Sequence, residues 1–173
     1  MKINNRIGIV IQVRSSSSRF KNKYKKNLGN KSIIKFLIDR ILEFNFKFRL
    51  IIAIPFNDRL INLHLKNTKN IEIFKGSKSN VLDRYYKCSL KKNLNTIIRL
   101  TGDNPLIDLE ILKKSIDKHI KYKKLFTTNC IENTFPNGLE FEIMERKLLH
   151  RAWKFSEKNS DKEHVTPYIY KLI

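Results

Sequence analysis

The chain has few of the residues that usually build metal or disulfide sites. Its 173 residues include two cysteines, Cys88 and Cys130, and four histidines. Neither a C-x-x-C pair nor an H-x-x-x-H pair occurs among them. Two cysteines without such spacing are typical of free thiols rather than of a disulfide. The composition therefore predicts two free, buried thiols, and it does not support a structural zinc site.

Long apolar runs are also lacking. No stretch approaches the roughly 18 apolar residues that a membrane-spanning helix needs, and the chain begins without a secretory signal core. We therefore expect no membrane insertion and a cytoplasmic location. A length of 173 residues suits one well-buried domain. Residues 1–173 are predicted to form a single unit without a linker.

Acidic residues are scarce. The chain has 36 Lys and Arg against 16 Asp and Glu, which gives a formal net charge of +20. Such a charge is typical of proteins that bind nucleic acid. Here, however, lysine is spread along almost every segment, and alanine occurs only at Ala53 and Ala152. This bias is typical of a genome's coding preference, so we predict no nucleic-acid partner.

The chain does contain a regular alternation of short apolar runs with segments of helical periodicity. Strands are predicted at residues 7–11, 50–54, 71–74, 96–100, 126–130 and 139–144. Helices are predicted to begin after the capping residues Ser32, Asp58, Asn80 and Asp108, and a further helix is predicted at residues 147–155. The helix after Asp108 is expected to bury Leu109, Leu112, Ile116 and Ile120. The alternation indicates an α/β fold with a mainly parallel central sheet.

The first predicted strand leads into a segment rich in hydroxyls and cations, Q-V-R-S-S-S-S-R-F-K-N-K at residues 12–23. Arg14, Arg19 and Lys23 carry positive charge, and the serines between them offer hydrogen-bond donors. Backbone N–H groups of such a loop can face the same anion. These features suit a phosphate site. From the local sequence alone, a solvated basic turn is the alternative.

An acidic residue follows the fourth predicted strand, in R-L-T-G-D-N-P-L-I-D at residues 99–108. Open parallel sheets bind ligands at the carboxyl ends of their strands, so Asp103 is expected to face the same crevice as the basic loop. A carboxylate beside a phosphate loop can hold Mg²⁺ on a nucleotide. The alternative is an Asx turn formed by Asp103 and Asn104 ahead of Pro105. Four glycines, Gly76 and Gly102 among them, are predicted to lie in loops.

Several ordered motifs cover nearly the whole chain. Q-x-R-x-x-S-x-R falls on Gln12, Arg14, Ser17 and Arg19, with a lysine at Lys23. Further motifs are V-L-D-R-Y-Y at residues 81–86 after Gly76, the segment 99–108, F-P-N-G-L-E at 135–140 and D-K-E-H-V-T-P-Y-I-Y at 161–170. Together they resemble the cytidylyltransferases of the SpsF type, relatives of the enzymes that make CMP-activated acidic sugars.

This resemblance implies a three-layer, Rossmann-like nucleotidyltransferase fold. It also implies transfer of a cytidylyl group from CTP to a hydroxyl of a sugar, expected to be acidic, with release of pyrophosphate in the synthesis of a surface polysaccharide or glycan. The resemblance makes Arg14, Arg19 and Lys23 the catalytic cations and Asp103 the Mg²⁺ ligand. The remaining nucleotide-binding residues that it implies are Gln12, Ser17, Ser18 and Gly102.

Other polar residues give less specific signals. Asp83 and Arg84 are predicted to form an ion pair on the surface of a helix, with nucleotide contact as the alternative. Glu140 and Glu142 face either the sugar pocket or water. Glu163 is explained by helix capping after Ser160. Glu140 and His164 are kept as further candidates for the site.

The chain departs from the family pattern in three places. Ser16 and Lys21 stand where the family usually has Gly and Pro, which leaves the loop less rigid. The family's domain also continues past V-T-P-Y-I-Y, into a part with an acidic segment that supplies a second metal carboxylate in the sialic-acid relatives. We therefore expect a fragment or a naturally short protein that lacks C-terminal elements of the fold.

The shortness of the chain has two further implications. A nucleotide-binding module without catalysis is the alternative function, because one aspartate holds a metal less firmly than two. An uncovered sheet edge or apolar face would favour a homodimer.

Overall fold

A computed structural model describes residues 4–16, 22–131 and 135–172. The strands are β1 (Asn4–Gln12), β2 (Asn27–Leu28), β3 (Lys31–Ser32), β4 (Phe48–Pro55), β5 (Glu72–Gly76), β6 (Thr96–Thr101), β7 (Phe126–Thr128) and β8 (Glu142–Glu145). The helices are α1 (Ile33–Phe44), α2 (Arg59–Leu65), α3 (Val81–Lys91), α4 (Leu109–Lys121), α5 (Arg146–Phe155), α6 (Asn159–His164) and α7 (Pro167–Tyr170). A single 3-10 turn spans Lys23–Lys25.

Six of these strands form one sheet in the order β5-β4-β1-β6-β8-β7. The central strand β1 pairs in parallel with β4 and β6, and β4 pairs in parallel with β5. Only the pairs that β8 makes with β6 and β7 are antiparallel within this sheet. The predicted α/β fold with a mainly parallel sheet is confirmed. Gln12 lies opposite Ala53 on one side and Thr101 on the other, so three strand ends meet at one edge.

Helices cover both faces of the sheet. Along β1, Ile9 and Ile11 pack on the face covered by α1, α2 and α4. Val10 points to the opposite face and packs with residues of α3, α5 and α7. All three side chains are at most 1% exposed, because a strand with helices on both sides is buried at every position. The layers therefore run helix, sheet, helix.

Three of the four predicted helix caps are present. The side chains of Asp58, Asn80 and Asp108 each accept a hydrogen bond from the backbone N–H three residues later, at 3.2, 2.8 and 2.9 Å. Ser32 does occupy the predicted N-cap position of α1, but its side chain accepts no capping hydrogen bond. The Ser32 hydroxyl instead contacts His64 Nε2 at 2.8 Å. A partner that lies 32 residues away in sequence cannot be predicted from the local sequence pattern.

The inner face of α4 differs from the predicted one at its last position. Ile120 is 47% exposed, whereas His119 is only 2% exposed. Positions 109, 112 and 116 follow the helical period, and positions 119 and 120 both continue it, three and four residues after position 116. His119 Nδ1 contacts Thr127 Oγ1 at 2.9 Å, and its Nε2 lies 3.3 Å from Glu145 Oε1. The prediction for Ile120 was wrong because helical spacing allows either residue, and the contacts of His119 with Thr127 and Glu145 determine which of the two is buried.

Gly76 lies at the end of β5 rather than in the predicted turn, and it pairs with Pro55 of β4. A Cβ at Gly76 would lie 2.8 Å from Arg84 Cγ. The glycine therefore makes room for an arginine, which no local turn pattern indicates. The two predicted late strands are also shorter than expected, since β7 ends at Thr128 and β8 begins only at Glu142.

Both cysteines are free thiols. Cys88 is fully buried, as predicted, whereas Cys130 is only half-buried. Within residues 4–16, 22–131 and 135–172, no helix combines the length and the apolar character needed to cross a membrane.

Candidate functional site

A cleft of about 290 Å³ lies at the edge where β1 and β6 end. Five of the predicted site residues line it: Gln12, Arg14, Lys23, Gly102 and Asp103. Parallel strands that end together bring these residues from three segments to one place. The predicted residues Ser17, Ser18 and Arg19 lie outside the described part of the chain, as does Lys21. The binding roles of all these residues stay predictions.

Two ion pairs cross the cleft. Lys23 Nζ lies 3.1 Å from Asp103 Oδ2, and Arg14 Nη2 lies 3.3 Å from Glu163 Oε1. All four side chains are between 43% and 50% exposed. Half-exposed pairs contribute little free energy, so both cations can exchange their carboxylate for a ligand anion. The pairing of Lys23 with Asp103 also differs from the Asx turn considered for Asp103.

Glu163 is a cleft residue that the sequence reasoning missed. It was explained as a capping residue of a helix after Ser160, but α6 begins at Asn159 and Ser160 lies inside it. Glu163 instead reaches Arg14 across 149 residues of sequence. His164 also lines the cleft. The only signal was the D-K-E-H motif, whose role the local pattern does not reveal.

Backbone hydrogen bonds hold the two described ends of the basic loop. Ser15 N–H donates to Asp58 Oδ2 at 2.7 Å, and Val13 N–H donates to Ala53 O at 3.2 Å. Asn22 N–H closes the loop by donating to Ser15 O at 3.3 Å. Asp58 therefore serves both as the cap of α2 and as a clamp on the loop. Its second role was not predicted, because it depends on a contact 43 residues away.

Gly102 allows the end of β6 to approach β1. Its N–H donates to Gln12 O at 2.8 Å. A Cβ at this position would lie 3.0 Å from Val13 Cβ and 3.1 Å from Gln12 O. Both distances are tighter than ordinary van der Waals contacts, so a larger residue would push the two strand ends apart.

A buried network of hydrogen bonds lies beneath the cleft and centres on Glu142, which is 4% exposed. Glu142 pairs with Arg99 on the neighbouring strand. Its other oxygen accepts hydrogen bonds from Thr166 Oγ1 at 2.6 Å and from Tyr170 Oη at 2.8 Å. Burial, followed by the nearby charge of Glu142, raises the pKa of Tyr170, so this tyrosine stays a neutral donor.

Of the two orientations predicted for Glu142, the one toward water is therefore wrong. Its antiparallel strand places Glu142 opposite Arg99, and that register cannot be derived from sequence spacing. Arg99 Nη2 also donates to Gln12 Oε1 at 3.4 Å, which connects the network to the cleft. Glu140 accepts hydrogen bonds from Asn104 Nδ2 at 2.9 Å and from Gly138 N–H at 2.8 Å, so its oxygens hold the turns beside the cleft.

The predicted surface ion pair between Asp83 and Arg84 is wrong. Arg84 is 2% exposed and lines the cleft. Asp83 accepts from Trp153 Nε1 at 2.9 Å and pairs with Lys87 at 3.1 Å. Adjacent residues on a helix point about 100° apart, so Asp83 faces α5 while Arg84 faces the sheet edge.

A strained turn follows α6 and sets the last part of the site. Val165 has φ 76° and ψ −53°, and Thr166 N–H donates to His164 O at 2.9 Å. This geometry is that of the rare γ-turn, which is unfavourable for a β-branched residue. Val165 is fully buried, so packing holds it there. The turn places Glu163 and His164 at the cleft and sends Thr166 inward to Glu142.

The donor set suits a metal ion that arrives with a phosphate ligand. Asp103 presents a half-exposed carboxylate at the cleft. Across the residues that the structure describes, no group of three or more His, Cys, Asp or Glu side chains is close enough to form a metal cage. Mg²⁺ is often held by one or two carboxylates together with substrate phosphates and water. Asp103 fits that arrangement.

The fold and the cleft define an α/β protein of the nucleotide-binding transferase class, with a basic loop and a carboxylate at the carboxyl edge of a parallel sheet. The family model described as Cytidylyltransferase matches residues 8–172. The chain belongs to the cytidylyltransferase family.

Relatives of known sequence or structure agree with this assignment. An uncharacterized protein of Methanocaldococcus jannaschii is 35% identical over 165 residues, covering 93% of this chain and 65% of that protein. The spore coat polysaccharide biosynthesis protein SpsF of Bacillus subtilis is 31% identical over 172 residues, covering 95% of this chain and 70% of SpsF. A solved cytidylyltransferase of Leptospira borgpetersenii superposes with a TM-score of 0.90 at 28% identity, covering 96% of this chain and 71% of that one.

These comparisons confirm the predicted resemblance to the SpsF type and the predicted nucleotidyltransferase fold. The chain spans about two thirds of the length of its curated relatives. The cytoplasmic location and the homodimer stay predictions.

Proposed function

We propose that this chain transfers a cytidylyl group from CTP to a sugar hydroxyl and releases pyrophosphate. The observation that carries the proposal is the meeting of Arg14, Lys23 and Asp103 in one cleft of a cytidylyltransferase-family chain. Membership of the cytidylyltransferase family supports CTP as the donor of the cytidylyl group. The similarity to SpsF, a spore coat polysaccharide biosynthesis protein, supports an acceptor sugar for a surface polysaccharide or glycan, and we propose that this sugar is acidic.

The proposed reaction is an in-line displacement at the α-phosphorus of CTP. The acceptor oxygen forms a bond to this phosphorus as the bond to the bridging oxygen of the β-phosphate breaks. The hydroxyl proton passes to solvent water, and pyrophosphate leaves with the electrons of the broken bond. Such a reaction requires alignment and charge stabilisation more than covalent help from the protein. Cations positioned around the phosphates are therefore the main requirement.

Arg14 and Lys23 supply that charge. On binding, we propose that they exchange Glu163 and Asp103 for oxygens of the triphosphate, with Arg19 as a third cation from the same loop. Gln12 and Gly102 lie beside them, and Ser17 and Ser18 offer further donors. As the bond to the leaving group breaks, charge grows on pyrophosphate, and fixed cations stabilise that charge.

Asp103 is proposed to hold Mg²⁺ once Lys23 has moved to the phosphates. Bound there, the metal would neutralise phosphate charge and help to orient the triphosphate. The protein contributes the carboxylate of Asp103, which is paired with Lys23 in the free protein. The nucleotide that brings the metal also draws Lys23 away from this carboxylate. Binding of nucleotide and of metal is therefore expected to be cooperative.

A second cleft, of about 570 Å³, lies on the other side of the basic loop and offers room for the base. Its lining includes Ser15, Ser16, Phe56, Asp58 and Ser77. Phe56 is 64% exposed, and an exposed aromatic ring can stack on a base. We propose that the pyrimidine enters this cleft while the triphosphate lies in the first.

The proposal is tested by measuring pyrophosphate release from CTP with Mg²⁺ and a panel of sugar acids, using Asp103→Asn as the variant. We expect this change to reduce the rate by about 100-fold or more. Asp117→Asn is a matched control, because Asp117 is also an exposed carboxylate paired with a lysine, Lys113. The control should retain the wild-type rate. No release by folded wild-type protein would contradict the proposal.

The alternative function, a nucleotide-binding module without catalysis, predicts a different pair of results. It requires CTP binding by titration calorimetry without pyrophosphate release from the same preparation. Calorimetry and the release assay are therefore performed on one batch.

A further inference from the structure

Arg84 is a buried cation without a counter-charge. It is 2% exposed, and among the described residues it forms no ion pair. Its one hydrogen bond joins Nη1 to Ala53 O at 3.5 Å, and its Nε has no hydrogen-bond partner. A buried charge without a partner is strongly unfavourable. The free protein therefore carries a destabilising group that a bound anion would compensate.

The environment of Arg99, a neighbouring cleft arginine whose side chain is 15% exposed, is different. Arg99 pairs with Glu142, donates to Gln12 Oε1 and lies over the Tyr85 ring at 5.8 Å. Arg84 has no such carboxylate, and burial together with the nearby charge of Arg14 lowers its pKa. The fold thus provides Arg99 with a carboxylate partner and leaves Arg84 without one.

The surroundings hold Arg84 in place. The Cα of Gly76 lies so close that a Cβ there would be 2.8 Å from Arg84 Cγ. The next residue, Tyr85, donates its hydroxyl to Val10 O and Leu100 O, both at 3.2 Å. These contacts fix α3 against the sheet and prevent Arg84 from turning outward to water. The guanidinium is therefore preorganised at the cleft.

The groups that face Arg84 favour an anionic ligand over an internal partner. The carboxylate that acts to raise the pKa of Arg84, Asp58, is already occupied by the N–H groups of Ser15 and Ile61. Arg14 adds a second positive charge. Of the four buried polar atoms without a partner in the described chain, three belong to cleft residues: Tyr24 Oη, Arg84 Nε and Arg99 Nε. The cleft thus has unused donors beside unbalanced positive charge.

We propose that Arg84 is a phosphate-binding residue, which contacts from below the same polyphosphate that Arg14 and Lys23 contact from the loop. This inference rests on the proposed function and deepens it, because it adds a residue of α3 to the cations that hold the triphosphate and the leaving pyrophosphate. A planar guanidinium can donate two parallel hydrogen bonds to a phosphate. A buried guanidinium without a carboxylate partner also gains the most free energy when it binds an anion.

A purely structural role for Arg84 makes a different prediction for the free protein. Removing a structural support lowers stability, whereas replacing an uncompensated buried charge by an apolar side chain of similar length leaves stability equal or higher. Arg84→Met therefore separates the two roles. Arg84→Lys keeps the charge but loses the fork geometry.

The experiment combines thermal unfolding with calorimetric titration of inorganic pyrophosphate at constant ionic strength. For Arg84→Met we expect a melting temperature at least as high as that of the wild type, together with roughly tenfold or greater loss of pyrophosphate affinity. Arg84→Lys should lose less affinity. Arg49→Met is the matched control, because Arg49 is a partly buried arginine that has its carboxylate partner, Glu72, far from the cleft. It should melt lower and bind pyrophosphate normally.

Unchanged pyrophosphate affinity in Arg84→Met would overturn the inference, and so would a wild-type protein that does not bind pyrophosphate. If Arg84→Met still turns over CTP normally, the inference fails and the proposed function stands. If pyrophosphate binding depends on Arg84 while CTP neither binds nor reacts, the proposed function fails and the phosphate site stands.

Discussion

At the scale of single residues, the cleft holds its cations in exchangeable pairs. Arg14 contacts Glu163 and Lys23 contacts Asp103, each across a half-exposed interface. A ligand phosphate must displace a carboxylate to reach either cation. The carboxylates of Glu163 and Asp103 therefore compete with the ligand phosphate for the two cations, and this competition lowers the affinity for the ligand.

The first prediction concerns Glu163→Gln. Without the competing carboxylate, Arg14 is free to bind phosphate, so CTP should bind up to about fivefold more tightly, as expected for loss of a partly exposed ion pair. Titration calorimetry in Mg²⁺ measures this, with Glu157→Gln on the exposed surface as control. Weaker binding would instead mean that Glu163 itself contacts the ligand or its metal.

The second prediction concerns Glu72, whose carboxylate receives two hydrogen bonds from Arg49 and one from Lys92, at 2.6 to 2.7 Å. The Arg49 hydrogen bond, aided by Lys92, lowers the pKa of Glu72 from 4.5 to about 2. A lowered pKa in the folded state stabilises the protein above the unfolded value of 4.5, and that stabilisation is lost as pH falls toward 2.

Glu72→Gln should therefore reduce the free energy of unfolding at pH 7 and matter progressively less below about pH 4.5. Urea denaturation at pH 7, 4 and 3 measures the difference between the two proteins. A difference that does not change with pH would contradict the assigned cause.

The residues that were predicted correctly are those whose partners are close in sequence. Asp58, Asn80 and Asp108 cap helices because the accepting side chain and the N–H are three residues apart. Arg84 and Glu142 were misjudged because their environments come from other strands and helices. A helical wheel shows that Asp83 and Arg84 diverge, but not which one becomes buried.

At the scale of elements, strand ends position the cleft. β1, β4 and β6 were predicted close to their observed bounds, since buried parallel strands are continuous apolar runs. The late strands and α6 were not predicted well, because β7 has three residues and α6 has six. Short elements depend on their tertiary contacts rather than on their own periodicity.

The third prediction compares two glycines that act for different reasons. Gly102→Ala should cost about 1–3 kcal/mol of stability by crowding Val13 and Gln12, and it should weaken CTP binding by moving the loop. Gly29 has φ +64° with open space around its missing Cβ, so Gly29→Ala should cost about 1 kcal/mol through its dihedral alone.

Urea denaturation and calorimetry on both variants test this comparison. Normal CTP affinity is expected for Gly29→Ala. Equal effects of the two substitutions on CTP affinity would show that the crowding at Gly102 is not transmitted to the loop.

At the scale of the whole molecule, both helical layers share one sheet. Ile9 and Ile11 belong to one core and Val10, between them, to the other. Neither core can be exposed without disturbing β1. We therefore propose, as the sequence suggested, that residues 1–173 behave as a single domain.

The fourth prediction is that the chain unfolds in one cooperative transition. Trp153, the only tryptophan, lies on α5 and contacts Asp83 on α3, so its fluorescence reports on one helical layer. Far-UV circular dichroism reports on all helices. The two urea transitions should coincide, and separate midpoints would divide the chain into independent units.

The contacts of α3 have a mechanical consequence. Neighbouring residues of this helix are tied to different structures, with Tyr85 hydrogen-bonded to the carbonyls of β1 and β6 and Arg84 held at the cleft. Rotation of α3 about its axis would move Arg84 only by breaking the hydrogen bonds of Tyr85 to β1 and β6. The helix thus keeps a constant distance between the central strands and the proposed phosphate site at Arg84. A ligand bound in the cleft therefore meets α3 as a rigid surface, and any adjustment to the shape of the ligand must come from the other segments that line the cleft.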